Sequence, residues 1–369
     1  MGVEIGRTDY HLILIYCKGL PMKKALLFLL VVSMLALVPA VFADDAPVAG
    51  VIWYNFADTF IQNARQTLLN TAAADGTIEI IDADSMNDAA TQTNNLNNMY
   101  TNGVKYLVLN NINTAGISEI CEQGKEEGVT MIFANTDSPS DEDFENYENL
   151  YLVTSRAEMS GTMMGKAVVD YWTSHPEADR NGNGKLDYIM LLGFTWHYDT
   201  QVRAEYSIAA CEEAGIETNR IGGEVIAEYN RGKAQEMVAA LLANYGDDID
   251  VVFACNDDMA LGAIEALKAG GFFQDEASFI PVCGVDATVV GCEAVEEGTM
   301  LVTALNNPVK LGKAIYKVMW LLENGQEVTT ETLDMEGVEV EGHRVWINYV
   351  GITKDNLEEA AYDITDPTF

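Results

Sequence analysis

The sequence predicts an α/β protein of two lobes, each built on a doubly wound parallel sheet, and two observations carry this prediction. From residue 48 onward, short apolar runs alternate with segments of helical periodicity, an alternation typical of a parallel sheet covered by helices on both faces. The chain after residue 43 also exceeds the roughly 250 to 300 residues at which a single hydrophobic core stops growing.

The predicted elements follow from the period of the apolar residues. The strands cover Val48–Trp53, Ile78–Ile81, Tyr106–Leu109, Thr130–Ala134, Tyr188–Leu192, Val251–Ala254, Ile280–Val285 and Leu301–Leu305. The clearest helices cover Thr59–Ala73, Thr114–Glu127, Met159–Trp172, Val202–Ala214, Lys233–Tyr245 and Met259–Ala269.

Residues 1–43 have the layout of an export signal. Two lysines follow Met22, an uncharged apolar run covers residues 25–38, and small or apolar residues come after it. The run is too short for a membrane span. The pattern predicts a signal peptide over residues 22–43 that is cleaved before Asp44, with the residues before Met22 as an upstream extension. We expect the mature chain to be exported without insertion into the membrane.

The exported part is strongly acidic. Removal of residues 1–43 takes away four basic and two acidic residues, which leaves 17 Lys and Arg against 55 Asp and Glu, a formal charge of −38. Such a surface repels nucleic acid and anionic lipid, so nucleic acid is excluded as a partner. Neutral or cationic ligands remain open.

An odd number of cysteines remains after the predicted cleavage. Their neighbours are mostly apolar or helical, which favours buried free thiols over a disulfide framework, although one disulfide remains open. No C-x-x-C spacing suggests zinc. The cysteines are Cys121, Cys211, Cys255, Cys283 and Cys292.

Nearly every predicted strand is followed by Asp or Asn. Ligands of open α/β sheets bind beyond the carboxyl ends of the strands, so two facing sheets would gather these residues in one cleft. Each of them alone would also make a good helix N-cap, but capping explains the repeated placement less well. They are Asp58, Asn110, Asn111, Asn135, Asn256, Asp257, Asp286, Asn306 and Asn307.

These side chains suit an uncharged polyol. A sugar hydroxyl both donates and accepts, so Asp can accept from it while Asn, Arg and His donate to it. The apolar face of a pyranose needs an aromatic ring, which Phe60 with Tyr229 or Trp196 could supply. A further group of polar side chains follows another apolar strand and could also bind the ligand. The alternative is a solvated loop on which its Asp and Arg pair with each other. The group consists of His197, Asp199 and Arg203.

The segment before that strand has the spacing of a calcium loop. Oxygen side chains at positions 1, 3, 5 and 9, a glycine at 6 and a carbonyl at 7 match the first nine positions of an EF-hand loop. Position 12 is Met190, inside an apolar strand, so the last ligand must come from elsewhere. The alternative is an Asn-rich and Gly-rich surface turn. The residues are Asp179, Asn181, Asn183, Gly184, Lys185 and Asp187.

From about residue 48 to residue 357, the chain resembles the periplasmic galactose/glucose-binding proteins of the type I periplasmic binding protein family. The segments that carry the resemblance are FADTF (56–60), FANTD (133–137), residues 179–203, ACNDDMALGAIEALKA (254–269), IPVCGVDA (280–287), TALNN (303–307) and YVGITKDNL (349–357).

This resemblance implies two lobes joined by a three-segment hinge. The N-terminal lobe would comprise residues 46–154 and 306–346, and the C-terminal lobe residues 155–305 and 347–369. It further implies a periplasmic monomer that binds D-galactose or D-glucose between the lobes. The protein would deliver the sugar to the permease of an ABC transporter, with a chemoreceptor as a second candidate partner.

The resemblance also implies the residues of both sites. Tyr229 falls where the family usually has Trp, which affects affinity and the choice between glucose and galactose. For a structural Ca²⁺, the loop residues Asp179, Asn181, Asn183, Lys185 and Asp187 match, and Asp250 would be the bidentate ligand. The family usually has Gln at position 187 and Glu at position 250. The residues that match the hexose site are Asp58, Phe60, Asn135, His197, Asp199, Arg203, Tyr229, Asn256, Asp286 and Asn306.

Three other functions compete with that of a hexose-binding protein. The protein could bind another monosaccharide, a pentose or a related polyol. It could be a glycoside hydrolase that uses Asp58 and Asp286 as a carboxylate pair. A sugar-responsive transcription regulator would need a helix-turn-helix before the first strand, where the signal peptide lies instead. We therefore expect a binding protein and not an enzyme.

Overall fold

The computed structural model describes residues 46–112, 115–135, 138–275 and 278–369. The predicted signal peptide, its cleavage before Asp44 and the start of translation at Met22 lie outside the described residues, as does the predicted helix start at Thr114.

The first sheet contains seven strands from two parts of the chain. They are β1 (Val48–Trp53), β2 (Glu79–Asp84), β3 (Tyr106–Leu109), β4 (Thr130–Ala134), β5 (Leu150–Ser155), β12 (Val338–Glu341) and β13 (Arg344–Ile347), in the order β12-β13-β5-β4-β3-β1-β2. Within this sheet, as far as the described residues go, β12 and β13 are the only antiparallel pair. The associated helices are α1 (Thr59–Asp75), α2 (Ala89–Thr101), α3 (Ile117–Glu127), α4 (Asp141–Asn146), α10 (Pro308–Glu323) and α11 (Thr330–Leu333).

The second sheet is also mainly parallel. Its strands are β6 (Leu186–Leu192), β7 (Thr218–Arg220), β8 (Val225–Ile226), β9 (Val251–Ala254), β10 (Val282–Val285), β11 (Val302–Leu305) and β14 (Val350–Ile352). The order is β14-β11-β10-β9-β6-β7, with β8 on β6 and β14 antiparallel to β11. Its helices are α5 (Ala157–Ser174), α6 (Tyr198–Glu213), α7 (Arg231–Tyr245), α8 (Asp257–Ala269) and α9 (Val289–Glu297).

The predicted fold class is confirmed. Each sheet carries helices, and between residues 46 and 369 the described part of the chain passes between the sheets three times: from β5 to β6, from β11 to β12 and from β13 to β14. These passages are the three segments of the hinge.

The cores follow from the parallel strands, which are buried on both faces and therefore apolar along their whole length. Within β1, Val51 and Trp53 pack with α1 and α10, whereas Ile52 packs with α2 and α3 on the other face. All five cysteines after residue 43 are free thiols and four are buried, which confirms that prediction. Within the described ranges, no helix is long and apolar enough to cross a membrane.

Candidate functional site

A cavity lies where the carboxyl ends of strands from both sheets meet. It holds nine of the ten residues predicted to bind sugar, whereas Asp199 does not line it. Tyr54 and Ile61 also line it and were missed, although Tyr54 directly follows β1, which is the position that identified the other residues. The predicted residues in the cavity are Asp58, Phe60, Asn135, His197, Arg203, Tyr229, Asn256, Asp286 and Asn306.

Asp58 both caps a helix and faces the cavity. Its Oδ1 accepts from Ile61 N at 2.9 Å, which makes it the N-cap of α1, and its Oδ2 accepts from the Tyr54 hydroxyl. Burial raises the pKa of Asp58 in spite of these hydrogen bonds, which lower it. The two interpretations of this residue, cap and site residue, are therefore compatible.

Asp286 is a buried acceptor in the cavity that has no hydrogen-bond donor among the described residues. It is 7% exposed, and no hydrogen bond reaches its carboxylate from the described part of the chain. Burial raises the pKa of Asp286 well above its usual value, against the opposing effect of Arg203. The backbone here is unusual as well, with φ of 109° at Asp286. A buried carboxylate without donors calls for a ligand that donates.

Three asparagines from different strand ends line the cavity. Asn256 is the N-cap of α8, where its Oδ1 accepts from Met259 N at 3.0 Å. The Oδ1 of Asn306 accepts from Ser155 Oγ at 2.9 Å and so joins the ends of β5 and β11. Asn135 has a left-handed backbone with φ of 48°. Because Oδ1 of Asn256 and of Asn306 already accepts a hydrogen bond, their side-chain N–H groups are the ones that can donate to a ligand.

Asn110 is a buried strand-end residue that does not line the cavity. Its Nδ2 donates to the Asn135 carbonyl at 2.8 Å, and its Oδ1 accepts from Tyr54 N at 3.4 Å. Asn110 therefore connects the backbones of Tyr54 and Asn135, two residues that line the cavity.

Arg203 is held in place by three acceptors. One terminal nitrogen donates to the Cys255 carbonyl at 2.7 Å, and the other to Asp199 at 3.1 Å and to the Tyr349 hydroxyl at 2.9 Å. Its Nε is buried and has no partner among the described residues. The predicted local pairing of Asp199 with Arg203 thus occurs, but both side chains are buried and not on a solvated loop.

His197 and Tyr229 form a pair beside Arg203. The Tyr229 hydroxyl lies 3.0 Å from His197 Nδ1, and the ring of Tyr229 lies so close to Gly193 that a Cβ there would meet it at 2.0 Å. Burial lowers the pKa of His197, although the charge of Asp199 raises it. The lowered pKa keeps the imidazole neutral at pH 7. Trp196 does not line the cavity but stacks on Phe194.

The two lobes also touch beside the cavity. Tyr54 makes edge-to-face contacts with Phe194 and Trp196, at centroid distances of 6.4 and 6.0 Å. Thr59 Oγ1, next in sequence to Asp58, donates to Asp258 Oδ2 at 3.2 Å. These contacts join residues of the two lobes that neighbour the cavity in the sequence or line it.

In the predicted calcium loop, the side-chain amide nitrogens of Asn181 and Asn183 point at Asp187, while their amide oxygens accept from backbone N–H groups of the loop. Asp187 Oδ2 accepts from the amides of Asn181 at 2.9 Å and Asn183 at 2.7 Å. Asp179 accepts from two backbone N–H groups of the loop. Asp250 lies alongside, accepting from the backbone nitrogens of Arg180 at 3.0 Å and Asp187 at 2.8 Å.

The electrostatics of the loop favour a cation. Burial, together with the charges of Asp187 and Asp179, raises the pKa of Asp250 to about 6. Within the described ranges, no group of three or more His, Cys, Asp or Glu is arranged to hold a metal. A calcium loop also uses amide and carbonyl oxygens, so the donor types present still fit Ca²⁺.

Comparisons with known proteins agree with this architecture. Residues 49–327 match the model of the periplasmic binding protein domain. The D-galactose/methyl-galactoside binding periplasmic protein MglB of Haemophilus influenzae is 31% identical, over 86% of this chain and 92% of that protein.

Two solved structures have the same fold. An ABC transporter solute binding protein from Bacillus halodurans C-125 with bound myo-inositol has a TM-score of 0.70 at 25% identity, covering 85% of this chain and 96% of that one. The arabinose-binding component from Shewanella sp. ANA-3, bound to L-arabinofuranose, has a TM-score of 0.70 at 17% identity, covering 85% and 93%.

Proposed function

Because this chain belongs to the periplasmic binding protein family of sugar-binding components of ABC transporters, we propose that it captures a hexose, D-galactose or D-glucose, and delivers it to its permease. The hexose would occupy the cavity between the two sheets and contact both lobes. Contacts with both lobes favour the closed conformation, which is a population shift driven by the ligand.

The observation that carries this proposal is the pair of unengaged polar groups in one cavity. The Asp286 carboxylate lacks donors, and Arg203 Nε lacks an acceptor, within the described residues. A sugar hydroxyl donates and accepts, so adjacent hydroxyls of one ring can satisfy both groups. A purely apolar ligand would leave both groups buried and unpaired, and a purely anionic ligand would leave the Asp286 carboxylate unpaired.

The remaining lining suits a pyranose. Phe60 and Tyr229 are aromatic residues of the lining that could contact the apolar face of the sugar ring, and Asn256 and Asn306 offer amide donors. Asp58 has both oxygens held, by Ile61 N and Tyr54, which suits a fixed acceptor better than the nucleophile of a hydrolase. This supports ground-state binding over catalysis.

A polyol or a smaller monosaccharide is the second candidate. It is favoured by the likeness, at 25% identity, to the protein with bound myo-inositol, whose ring also carries adjacent hydroxyls. The galactose hypothesis draws instead on MglB at 31% identity. A chemoreceptor as a second partner remains a prediction that rests on the resemblance alone.

We also propose that the loop over residues 179–187 holds a structural Ca²⁺ ion. The ligands would be Asp179, Asn181, Asn183, the Lys185 carbonyl, Asp187 and Asp250. Its support is the meeting of three carboxylates and two amides, with the raised pKa of Asp250. A bound dication would offset the repulsion between the carboxylates of Asp179, Asp187 and Asp250 and so stabilise the native state.

Isothermal titration calorimetry of residues 44–369, stripped of endogenous sugar, tests the proposed function. We expect micromolar or tighter binding of D-galactose or D-glucose, with Asp286→Ala weakening it at least tenfold. Tight binding of myo-inositol or L-arabinose alone would favour the second candidate. The absence of heat with both hexoses would contradict the hexose proposal.

A further inference from the structure

Asp257 is a buried carboxylate next to the cavity that does not line it. It is the first residue of α8 and is 1% exposed. Burial raises the pKa of Asp257 to about 7, against hydrogen bonds from Thr303 and Thr288 that lower it. Because a buried carboxylate is costly without close partners, its hydrogen bonds indicate what it stabilises.

These hydrogen bonds run to the turn that follows β10. Asp257 Oδ2 accepts from Thr288 N at 2.7 Å and from Thr288 Oγ1 at 3.0 Å. Its Oδ1 accepts from Thr303 Oγ1 at 2.7 Å, and that hydroxyl in turn accepts from Ala287 N at 3.0 Å. Directly or through one hydroxyl, the carboxylate therefore holds both residues that follow Asp286.

The turn needs such support because its backbone is strained. Asp286 has φ of 109° and Ala287 has φ of 47°, a region that residues with a side chain rarely adopt. Each such residue costs on the order of 1 to 3 kcal/mol and persists only where its surroundings fix it. Besides the Asp257 network, Asp286 N donates to the Ala304 carbonyl at 2.8 Å.

The neighbouring backbone leaves room for the carboxylate. A Cβ at Gly284 would lie 2.4 Å from Asp257 Oδ1, and a Cβ at Gly291 would lie 2.1 Å from Oδ2. Both glycines therefore border the space that the carboxylate fills. The arrangement involves β10, β11, α8 and α9 together, so it belongs to the fold of this lobe and not to one loop.

We propose that Asp257 is a positioning residue for ligand binding, which holds the strained turn Asp286–Ala287 so that the Asp286 carboxylate faces the cavity. The inference rests on the proposed function only in that Asp286 contacts the ligand. It applies to whichever polyhydroxyl ligand the cavity takes.

Substitutions at Thr303 test this role without touching a cavity residue. Thr303→Val removes the bridging hydroxyl but keeps the shape, whereas Thr303→Ser keeps the hydroxyl. Affinity is measured by calorimetry with the sugar that the wild type binds best among D-galactose, D-glucose, myo-inositol and L-arabinose. We expect Thr303→Val to weaken binding about tenfold, as for the loss of one buried hydrogen bond, and Thr303→Ser to stay near the wild type.

Two further variants separate positioning from a general loss of stability. Thr71 is a buried threonine of α1 whose hydroxyl has no partner among the described residues, so Thr71→Val is the matched control and should leave affinity unchanged. In an Asp286→Ala background, Thr303→Val should change affinity less than twofold, because the side chain it positions is gone. Equal weakening in both backgrounds, or wild-type affinity of Thr303→Val, would overturn the proposal.

Amide hydrogen exchange in the sugar-free wild type gives an independent test. The N–H groups of Ala287 and Thr288 should exchange slowly because they donate to Thr303 and Asp257. Fast exchange of both would overturn the inference even if no variant folds. A protein that binds neither hexose but protects these amides would contradict the hexose proposal and leave the support of the turn intact.

Discussion

At the scale of single residues, several cavity side chains also hold the fold. Asp58 and Asn256 cap helices with one oxygen, and Asn306 joins two strand ends. Such fixed side chains lose little freedom on binding, which favours affinity. Their positions depend in turn on neighbours such as Tyr54, so substitution of these neighbours should weaken sugar binding.

Tyr54→Phe should weaken sugar binding about tenfold or more. The substitution removes the hydroxyl that donates to Asp58 Oδ2, and hydrogen bonds to charged groups contribute about 1.5 to 3 kcal/mol. Calorimetry with the bound sugar measures the change. Tyr100→Phe is the control, because that buried hydroxyl has no partner in the described part of the chain. Unchanged affinity of Tyr54→Phe would show that Asp58 is held by its helix cap alone.

His197 should make the protein less stable in acid. Burial lowers the pKa of His197 in the folded state below its unfolded value of about 6.5. The contribution of His197 to the free energy of unfolding is therefore fully present above pH 6.5. It is lost as the pH falls, by at most about 1.4 kcal/mol per pH unit. Urea unfolding of wild type and His197→Asn at pH 7, 6 and 5 measures the difference between them. A difference that is constant with pH would contradict this.

At the scale of elements, close helix packing supports the cavity. A Cβ at Gly161 of α5 would lie 2.6 Å from the Arg203 carbonyl of α6, and one at Gly165 would lie 2.3 Å from the Ser207 carbonyl. The two helices can approach this closely only where side chains are absent. The position of Arg203 in the cavity therefore depends on small residues in another helix.

Gly161→Ala should lower both stability and affinity. The added methyl forces α6 away from α5, which costs about 1 to 3 kcal/mol, and it moves Arg203. Thermal melting and calorimetry measure the two effects. Gly351→Ala is the control, because a Cβ there would make only ordinary contacts, at 3.7 Å from Met163. Loss of stability without loss of affinity would show that Arg203 is held by its side-chain partners.

At the scale of the whole molecule, β6 connects two candidate sites. The loop over residues 179–187 lies at its amino end, and His197 follows its carboxyl end. Seven residues of strand span roughly 23 Å, so an ion in the loop would not touch a sugar in the cavity. Calcium should therefore change stability and not sugar recognition.

Chelation of calcium should lower the melting temperature and leave sugar affinity nearly unchanged. An ion at 100 times its Kd stabilises the native state by about 2.7 kcal/mol. Calorimetric melting with EDTA and with added Ca²⁺ measures the shift. Asp187→Asn is the companion variant, and its melting temperature should respond less to Ca²⁺. A wild-type melting curve that EDTA does not move would mean that the loop is an Asx turn.

The sequence by itself determined the fold class and most of the cavity. Strands such as β1 and β9 are continuous apolar runs because both of their faces are buried, and that pattern can be read without the structure. The polar residues after these strands were also evident, because strand ends and ligand sites coincide in this kind of sheet.

Only the tertiary structure decided which polar residues meet and which side chains hold them. The short strands β12 and β14 have no continuous apolar run and were not predicted, since their pairing depends on distant partners. Asp199 accepts a hydrogen bond from Arg203, and the Tyr54 hydroxyl donates one to Asp58. The role of Asp257 lies in hydrogen bonds to residues 31 and 46 positions away. Local sequence patterns carry no information on contacts at such separations, because packing of the whole lobe creates them.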